Sequence, residues 1–372
     1  MQQRWITPLA VAAALVAPAV AQAQDLRVSV SAARPSVAAS QDVEVTLRYT
    51  NAGKQTLYLL KWFVPGADLK EPLFQISRDG KAVDYIGPHY KRRAPTIDDM
   101  VALLPGKTLT TTVKLGKVYD LSQSGNYSVR FSAELDHMLG KPAAGSGSRL
   151  QAEAVGAVEA ESQALVSGTV SMWVEGRVSP LLLQAQEARQ MSALLDRALA
   201  SSISYAANCS TTRRNQIASG VSAASTMANG ANTYLAGTPS GTTRYVTWFG
   251  KYSSTNWNTA KTHFTKIKGA LDSKPLSFDC GCTESGTYAY VYPDQPYKIY
   301  LCGAFWSAAT SGTDSKGGTI VHELSHFTAV AGTDDHAYGQ SAAKSLAKSN
   351  PTKALDNADN HEYFAENTPS LP

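Results

Sequence analysis

From Asp25 to about residue 135, apolar and polar positions alternate with period two, as where Val43, Val45, Leu47 and Tyr49 interleave with Glu44, Thr46 and Arg48. Successive side chains of a strand point to opposite faces, so the alternation predicts strands with one buried face. Asp79-Gly80 between LFQIS and AVDYI is a hairpin turn signal, and GNYSVRFSAEL has the pattern of a late strand in an immunoglobulin-like sandwich. The expected first domain, residues 24–176, is an all-β immunoglobulin-like sandwich without cysteines. Within it, residues 139–162 are small, polar and weakly patterned and predict a loop or linker. One more alternating strand, VSGTVSMWVEG, follows.

The period then lengthens. Leu182, Ala185, Ala188, Met191, Leu195 and Leu199 fall near one helical stripe that runs into the Ser-rich ASSIS, so residues 177–203 are expected to be a helix-bearing linker and processing region. Beyond it, residues 204–372 predict a mainly α domain with a small β-sheet. TTRRNQIASGVSAASTMANGANTYLAG and NWNTAKTHFTKIKGAL read as helices, and TYAYVYPDQPYKIYLC as a hairpin about a Pro-containing turn. No internal repeat is present.

A composition of 43% hydrophobic and 17% charged residues is that of a folded chain. The net charge of +4 is not gathered into a Lys/Arg tract, so neither nucleic acid nor an anionic membrane is indicated as a partner. Arg4, the apolar run ITPLAVAAALVAPAV and Ala21-Gln22-Ala23 make residues 1–23 a secretory signal, too short and Ala-rich to span about 30 Å of hydrocarbon. The expected destination is extracellular, with passage through the periplasm.

Export makes the four cysteines interpretable as two disulfides. Cys280 and Cys282 flank one glycine, too close to bridge each other without strain, so each is expected to pair with Cys209 or Cys302. Residue spacing leaves both connectivities open. A four-cysteine zinc site would need paired C-x-x-C knuckles, which are missing.

The strongest chemical signal is His322-Glu323-Leu324-Ser325-His326, which fits H-E-x-x-H. Histidines four apart on a helix share a face and reach one metal at about 2.0 to 2.1 Å, with Glu323 beside the open position as general base. Gly332 is the expected stop of that helix. A metzincin third histidine would fall at Gly332, and a thermolysin-like glutamate near Leu346, so neither arrangement applies; Glu362 or Glu366 could serve only over a longer connection. Asp334, Asp335 and His336 in GTDDHAYG remain as candidates for the third ligand.

HELSH followed by GTDDHAYG resembles the aspzincin metallopeptidases, whose signature is H-E-x-x-H plus G-T-x-D-x-x-Y-G. The resemblance implies one Zn2+ per chain held by His322, His326 and Asp335, with Asp334 and His336 at variable positions. It also implies that Tyr338 stabilises the transition state; the alternative is a core-packing ring at a helix start. Within the family the chain looks closest to peptidyl-Lys metalloendopeptidases, from about Tyr205 onward through RYVTWFG, SFDCGC, TYAYVYP, IYLCGAFW and NADNHEYFAEN. That likeness implies the pairs Cys209–Cys280 and Cys282–Cys302. It further implies that Asp359 and Glu362, a D-x-x-E pair, bind the lysine that follows the scissile bond; a solvated acidic helix face is the alternative.

The expected function is therefore a secreted zinc endopeptidase acting on protein or peptide substrates on the amino side of lysine. A broader deuterolysin-like neutral protease, or a secreted binding protein with an inactive zincin domain, are the alternatives. Tyr288 to Tyr292 could offer a sheet edge to substrate. The first domain reads as a propeptide or as a permanent targeting sandwich, and without a cysteine it must inhibit by another ligand or by steric cover. No lysine lies between Lys141 and Lys251, so release near residue 204 calls for another protease or for relaxed cleavage at Arg177, Arg189 or Arg197.

Overall fold

The computed structural model describes residues 25–66, 68–141, 153–154, 164–195 and 202–372. The signal at 1–23, Arg197 and most of the 139–162 linker lie outside the described residues. Among those described, no helix is long and apolar enough to cross a membrane.

The N-terminal region is β-rich, as its alternation requires. Strands Leu26–Ala32, Glu44–Asn51 and Thr108–Lys114 form an antiparallel sheet. A second sheet is ordered Ser36–Val37, Val170–Val174, Gly125–Glu134, Phe74–Arg78, Lys81–Ala82. A third, smaller sheet carries Leu57–Leu60 and Met100–Leu103. The inward residues of the first two sheets, Val45, Leu47 and Tyr49 against Tyr127, Val129 and Phe131, share one buried core. Asp79-Gly80 turns the chain with positive φ at both residues, as a tight hairpin between right-twisted strands demands.

The helix Pro180–Leu195 forms where its period predicts, and over residues 180–191, whose side chains are described, Leu182 and Ala185 are its buried positions. Met191, expected on the same stripe, is 55% exposed. The described part of the Ser-rich stretch, Ser202–Tyr205, is the first strand of the C-terminal sheet, parallel to Pro275–Asp279.

The C-terminal region is mainly helical around a small sheet. The long helix Thr211–Ala236 buries Ile217, Val221, Ala224, Ala228, Ala231 and Leu235, one face at spacings of three and four. Its small residues let the helix Lys316–His326 pack closely against it. Thr287–Val291 and Lys298–Leu301 form the expected hairpin. The sheet order is Ser202–Tyr205, Pro275–Asp279, Lys298–Leu301, Thr287–Val291, and then a fifth strand, His89–Arg92, from the N-terminal region. That strand runs antiparallel to Thr287–Val291, with Tyr290 opposite Tyr90 and Val291 opposite His89. The tyrosine-bearing edge that could receive a substrate is thus already paired.

Two disulfides, Cys209–Cys280 and Cys282–Cys302, tie the sheet's strand ends to their neighbours.

Candidate active site

The helix Lys316–His326 is capped by the Ser315 side chain, which accepts from the Gly318 amide at 2.9 Å, and every residue of it is buried. It ends at His326 and not at Gly332. The chain turns immediately because the Thr333 amide donates to the Ser325 carbonyl and the Thr333 carbonyl meets His326 Nδ1 at 2.7 Å. Gly332 supplies the positive φ, 65°, that this reversal needs.

The reversal places Asp335 between the two histidines. Its carboxylate oxygens lie 3.2 Å from His322 Nε2 and 3.4 Å from His326 Nε2, and the two nitrogens are 3.1 Å apart. Four ligands about a zinc at roughly 2.0 to 2.1 Å stand about 3.3 to 3.4 Å from one another, so the nitrogen pair is close to one edge of such a tetrahedron, and the carboxylate offers one oxygen at a similar distance from each nitrogen. The proton inventory agrees. A carbonyl can only accept, so His326 Nδ1 carries its proton toward Thr333, while His322 Nδ1 lies 2.9 Å from Asp359 Oδ1. The two Nε2 atoms and the Asp335 carboxylate are thereby left to converge on one another, an arrangement that a bound cation can join. These residues fit zinc.

Asp334 and His336 are placed elsewhere. Asp334 pairs with His89 at 3.2 Å and bridges to Asn357, while His336 Nε2 meets Asp356 at 2.9 Å. Glu323 is fully buried, and neither of its carboxylate oxygens has a hydrogen-bond partner among the described residues. Burial, opposed by His322, pushes its carboxyl up to about 8. Burial likewise disfavours the His322 imidazolium, but Asp335, Asp359 and Glu362 outweigh it and hold its pKa well above the ordinary value. Asp335 is held well below the usual carboxylate range: burial opposes this, and the two imidazoles prevail. Tyr338 closes the turn, its phenol kept far from ionisation by burial and then by Asp335.

Asp359 and Glu362 lie on the final helix, Ala358–Glu366, and both are fully buried, so a solvated acidic face is not what this helix presents. Asp359 accepts from the Gly339 amide at 2.6 Å as well as facing His322, so it ties the G-T-x-D-x-x-Y-G turn to the H-E-x-x-H helix. Glu366 is not near the histidine Nε2 atoms. It accepts from Ser315 N and Oγ at 2.9 and 2.8 Å, holding the N-terminus of the histidine helix. A methyl on Gly318 would run into Glu366 Oε1 and come within 2.9 Å of Glu362 Oε1. Gly318→Ala is therefore expected to lower stability by roughly 1 to 3 kcal/mol, as overpacking does, measurable as a fall in Tm.

Several groups here gave no sequence signal. Asn357 braces the turn, accepting from the His336 and Ala337 amides at 2.8 and 3.1 Å. Asp314 holds the hydroxyl proton of Tyr363 at 2.7 Å and borders the acidic pair. His89, Lys91, Arg92 and Glu71 enter from the N-terminal region. Lys91 Nζ lies 2.5 Å from Glu362, 3.4 Å from Asp359 and 3.5 Å from Asp314. Burial disfavours its charge, yet these carboxylates hold the ammonium well above its ordinary pKa.

Residues 234–366 match the aspzincin family, described as lysine-specific metallo-endopeptidase. An extracellular protease of Aeromonas hydrophila is 46% identical over 326 residues, 88% of each chain. A peptidyl-Lys metalloendopeptidase of Armillaria mellea is 37% identical over 368 residues, 96% of this chain and 95% of the relative. A solved zinc peptidase from Grifola frondosa is 50% identical, covering 44% of this chain and 100% of its own, with a TM-score of 0.43. The chain belongs to the aspzincin family and is a zinc metalloendopeptidase. Its likeness to the Armillaria mellea protein takes in the N-terminal region as well, where no motif announced kinship.

Proposed function

We propose that this is a secreted endopeptidase that cleaves on the amino side of lysine, with His322, His326 and Asp335 as zinc ligands, Glu323 and Tyr338 as catalytic groups, and Asp359 and Glu362 in the lysine pocket. The observation that carries the reading is the junction of two sites: a convergent cluster of two imidazoles and a carboxylate, backed directly by a buried acidic pocket that accepts an ammonium group. The name of the Armillaria mellea relative supports the same specificity.

Zinc, when bound, supplies Lewis acidity to the attacking water and the scissile carbonyl. Glu323 takes the water's proton and returns it to the leaving amine, a role its unpaired, buried carboxylate suits. Tyr338 donates its phenolic hydrogen to the developing oxyanion. Asp359 has two duties, orienting His322 through Nδ1 and lending charge to the pocket, whereas Glu362 makes the closest approach to the ammonium. Secretion is supported by the residue 1–23 pattern, by both disulfides and by the name of the Aeromonas hydrophila relative.

Residues 24–176 are proposed as an immunoglobulin-like propeptide domain, followed by the 177–203 processing region and the 204–372 protease. The two sheets that share one core support the sandwich. Removal of this region falls to a second protease or to relaxed cleavage at Arg177, Arg189 or Arg197. The specificity is tested by digesting a lysine-rich protein with the matured enzyme and sequencing the new N-termini. Lysine should dominate the first position; new termini spread over many residue types would instead favour a broad, deuterolysin-like enzyme.

A further inference from the structure

His89, Tyr90, Lys91 and Arg92 form the fifth strand of the protease sheet, antiparallel to the Thr287–Val291 edge. Added strands are a common way for a peptide to bind a sheet edge, with main-chain bonds giving affinity and alternate side chains giving specificity. Period two turns His89 and Lys91 to the same face, toward the site.

Lys91 has no exposed surface, and a lysine is almost never fully buried unless paired. All its pocket partners come from the other region of the chain. Glu362, Asp359 and Asp314 surround Nζ, and the rings of Tyr288 and Tyr363 lie 5.0 and 5.8 Å from it. Its neighbours on the strand cover the rest of the machinery. The His89 ring centroid is 5.1 Å from that of His326, and one ligand atom of each of His89, His326 and Asp335 lies within 4.8 Å of the others. Arg92 Nη1 donates to the Tyr338 hydroxyl at 2.8 Å and is itself paired with buried Glu71.

We propose that His89–Arg92 is a tethered substrate mimic: Lys91 fills the lysine pocket while His89 and Arg92 cover the histidine cluster and Tyr338, so the unprocessed chain is latent. The proposal rests on the pocket reading of the preceding section and adds Asp314, held by the Tyr363 hydroxyl, to the groups that receive the ammonium. A tether keeps such a segment at an effective concentration on the order of millimolar, which a dilute substrate cannot outcompete. Latency here needs no cysteine, and it ends when the N-terminal region is cut away and loses its tether.

Two measurements on the full chain test this, with intact mass confirming that it is uncut. In the first, casein hydrolysis is followed for the wild type and for Lys91→Met, which keeps most of the length and loses the charge. Losing a buried, hydrogen-bonded charge partner should loosen the strand and raise activity at least about 10-fold. In the second, the Glu323→Gln chain, with Lys91 in place, is treated with an amine-acetylating reagent. Lys91 should react at least about 10-fold more slowly than exposed Lys54 and Lys81, as a fully buried ammonium does. Equal labelling of the three lysines, or an uncut Lys91→Met chain no faster than wild type, overturns the proposal. Specificity is judged apart from both: an activated Lys91→Met chain whose casein products do not begin with lysine would sink the lysine-pocket reading and with it the mimicry of substrate, while leaving the latency imposed by the strand established.

Discussion

Glu323→Gln in the matured enzyme is expected to lower kcat by about 10³- to 10⁴-fold, toward the upper end of what positioned acid–base groups contribute. The substitution keeps the side chain's shape in a site where Glu323 is fully buried and its oxygens touch no hydrogen-bond donor among the described residues. Nothing that holds His322, His326 or Asp335 depends on it. Zinc content and Tm should therefore stay at wild-type values while turnover collapses, and metal analysis beside single-turnover kinetics checks both halves. A variant that had lost its zinc would make Glu323 a support of the metal site instead of its base.

The second large effect separates the two pocket acids. Glu362→Gln should lower kcat/KM for lysine substrates by about 10²- to 10³-fold, the usual cost of truncating one side of a buried charge pair, with zinc affinity little changed. Asp359→Asn should do both kinds of damage. Its carboxylate faces His322 Nδ1 at 2.9 Å and takes the Gly339 amide at 2.6 Å, and partners of a metal-bound histidine typically contribute 10- to 100-fold, roughly, in metal affinity. Competition with a chelator of known affinity measures the zinc constant, and paired lysine and norleucine peptides measure the specificity. If Glu362→Gln releases zinc as readily as Asp359→Asn, the division of roles is wrong, a live outcome because Glu362 Oε2 is also 3.4 Å from His322 Nδ1.

Much of this site was legible in the chain itself because its signals are local. H-E-x-x-H works through helical periodicity, and G-T-x-D-x-x-Y-G lies within one reversal of the same segment. Asp335, Asp359, Glu362 and both cysteine pairings were implied by the resemblance to the aspzincin peptidases, since spacing alone had left the third ligand and the pairings open. What misled was also local reasoning: Gly332 looked like the helix stop, yet the Ser325, His326 and Thr333 hydrogen bonds end the helix six residues earlier. Met191 fell on a helical stripe but is 55% exposed.

Lys91 belongs to another category. Its side chain is bonded to residues up to 271 positions away, and nothing in the short run His89-Tyr90-Lys91-Arg92 marks it as a plug. The amino-acid order by itself supplied the H-E-x-x-H and G-T-x-D-x-x-Y-G segments and the acidic pair that follows them, since residue type and spacing within a helix or turn are local properties. Only the tertiary structure decided that a strand of the first region lies on the edge of the last one and fills its pocket, because sheet pairing is a contact between backbones and carries no code in the distance between them.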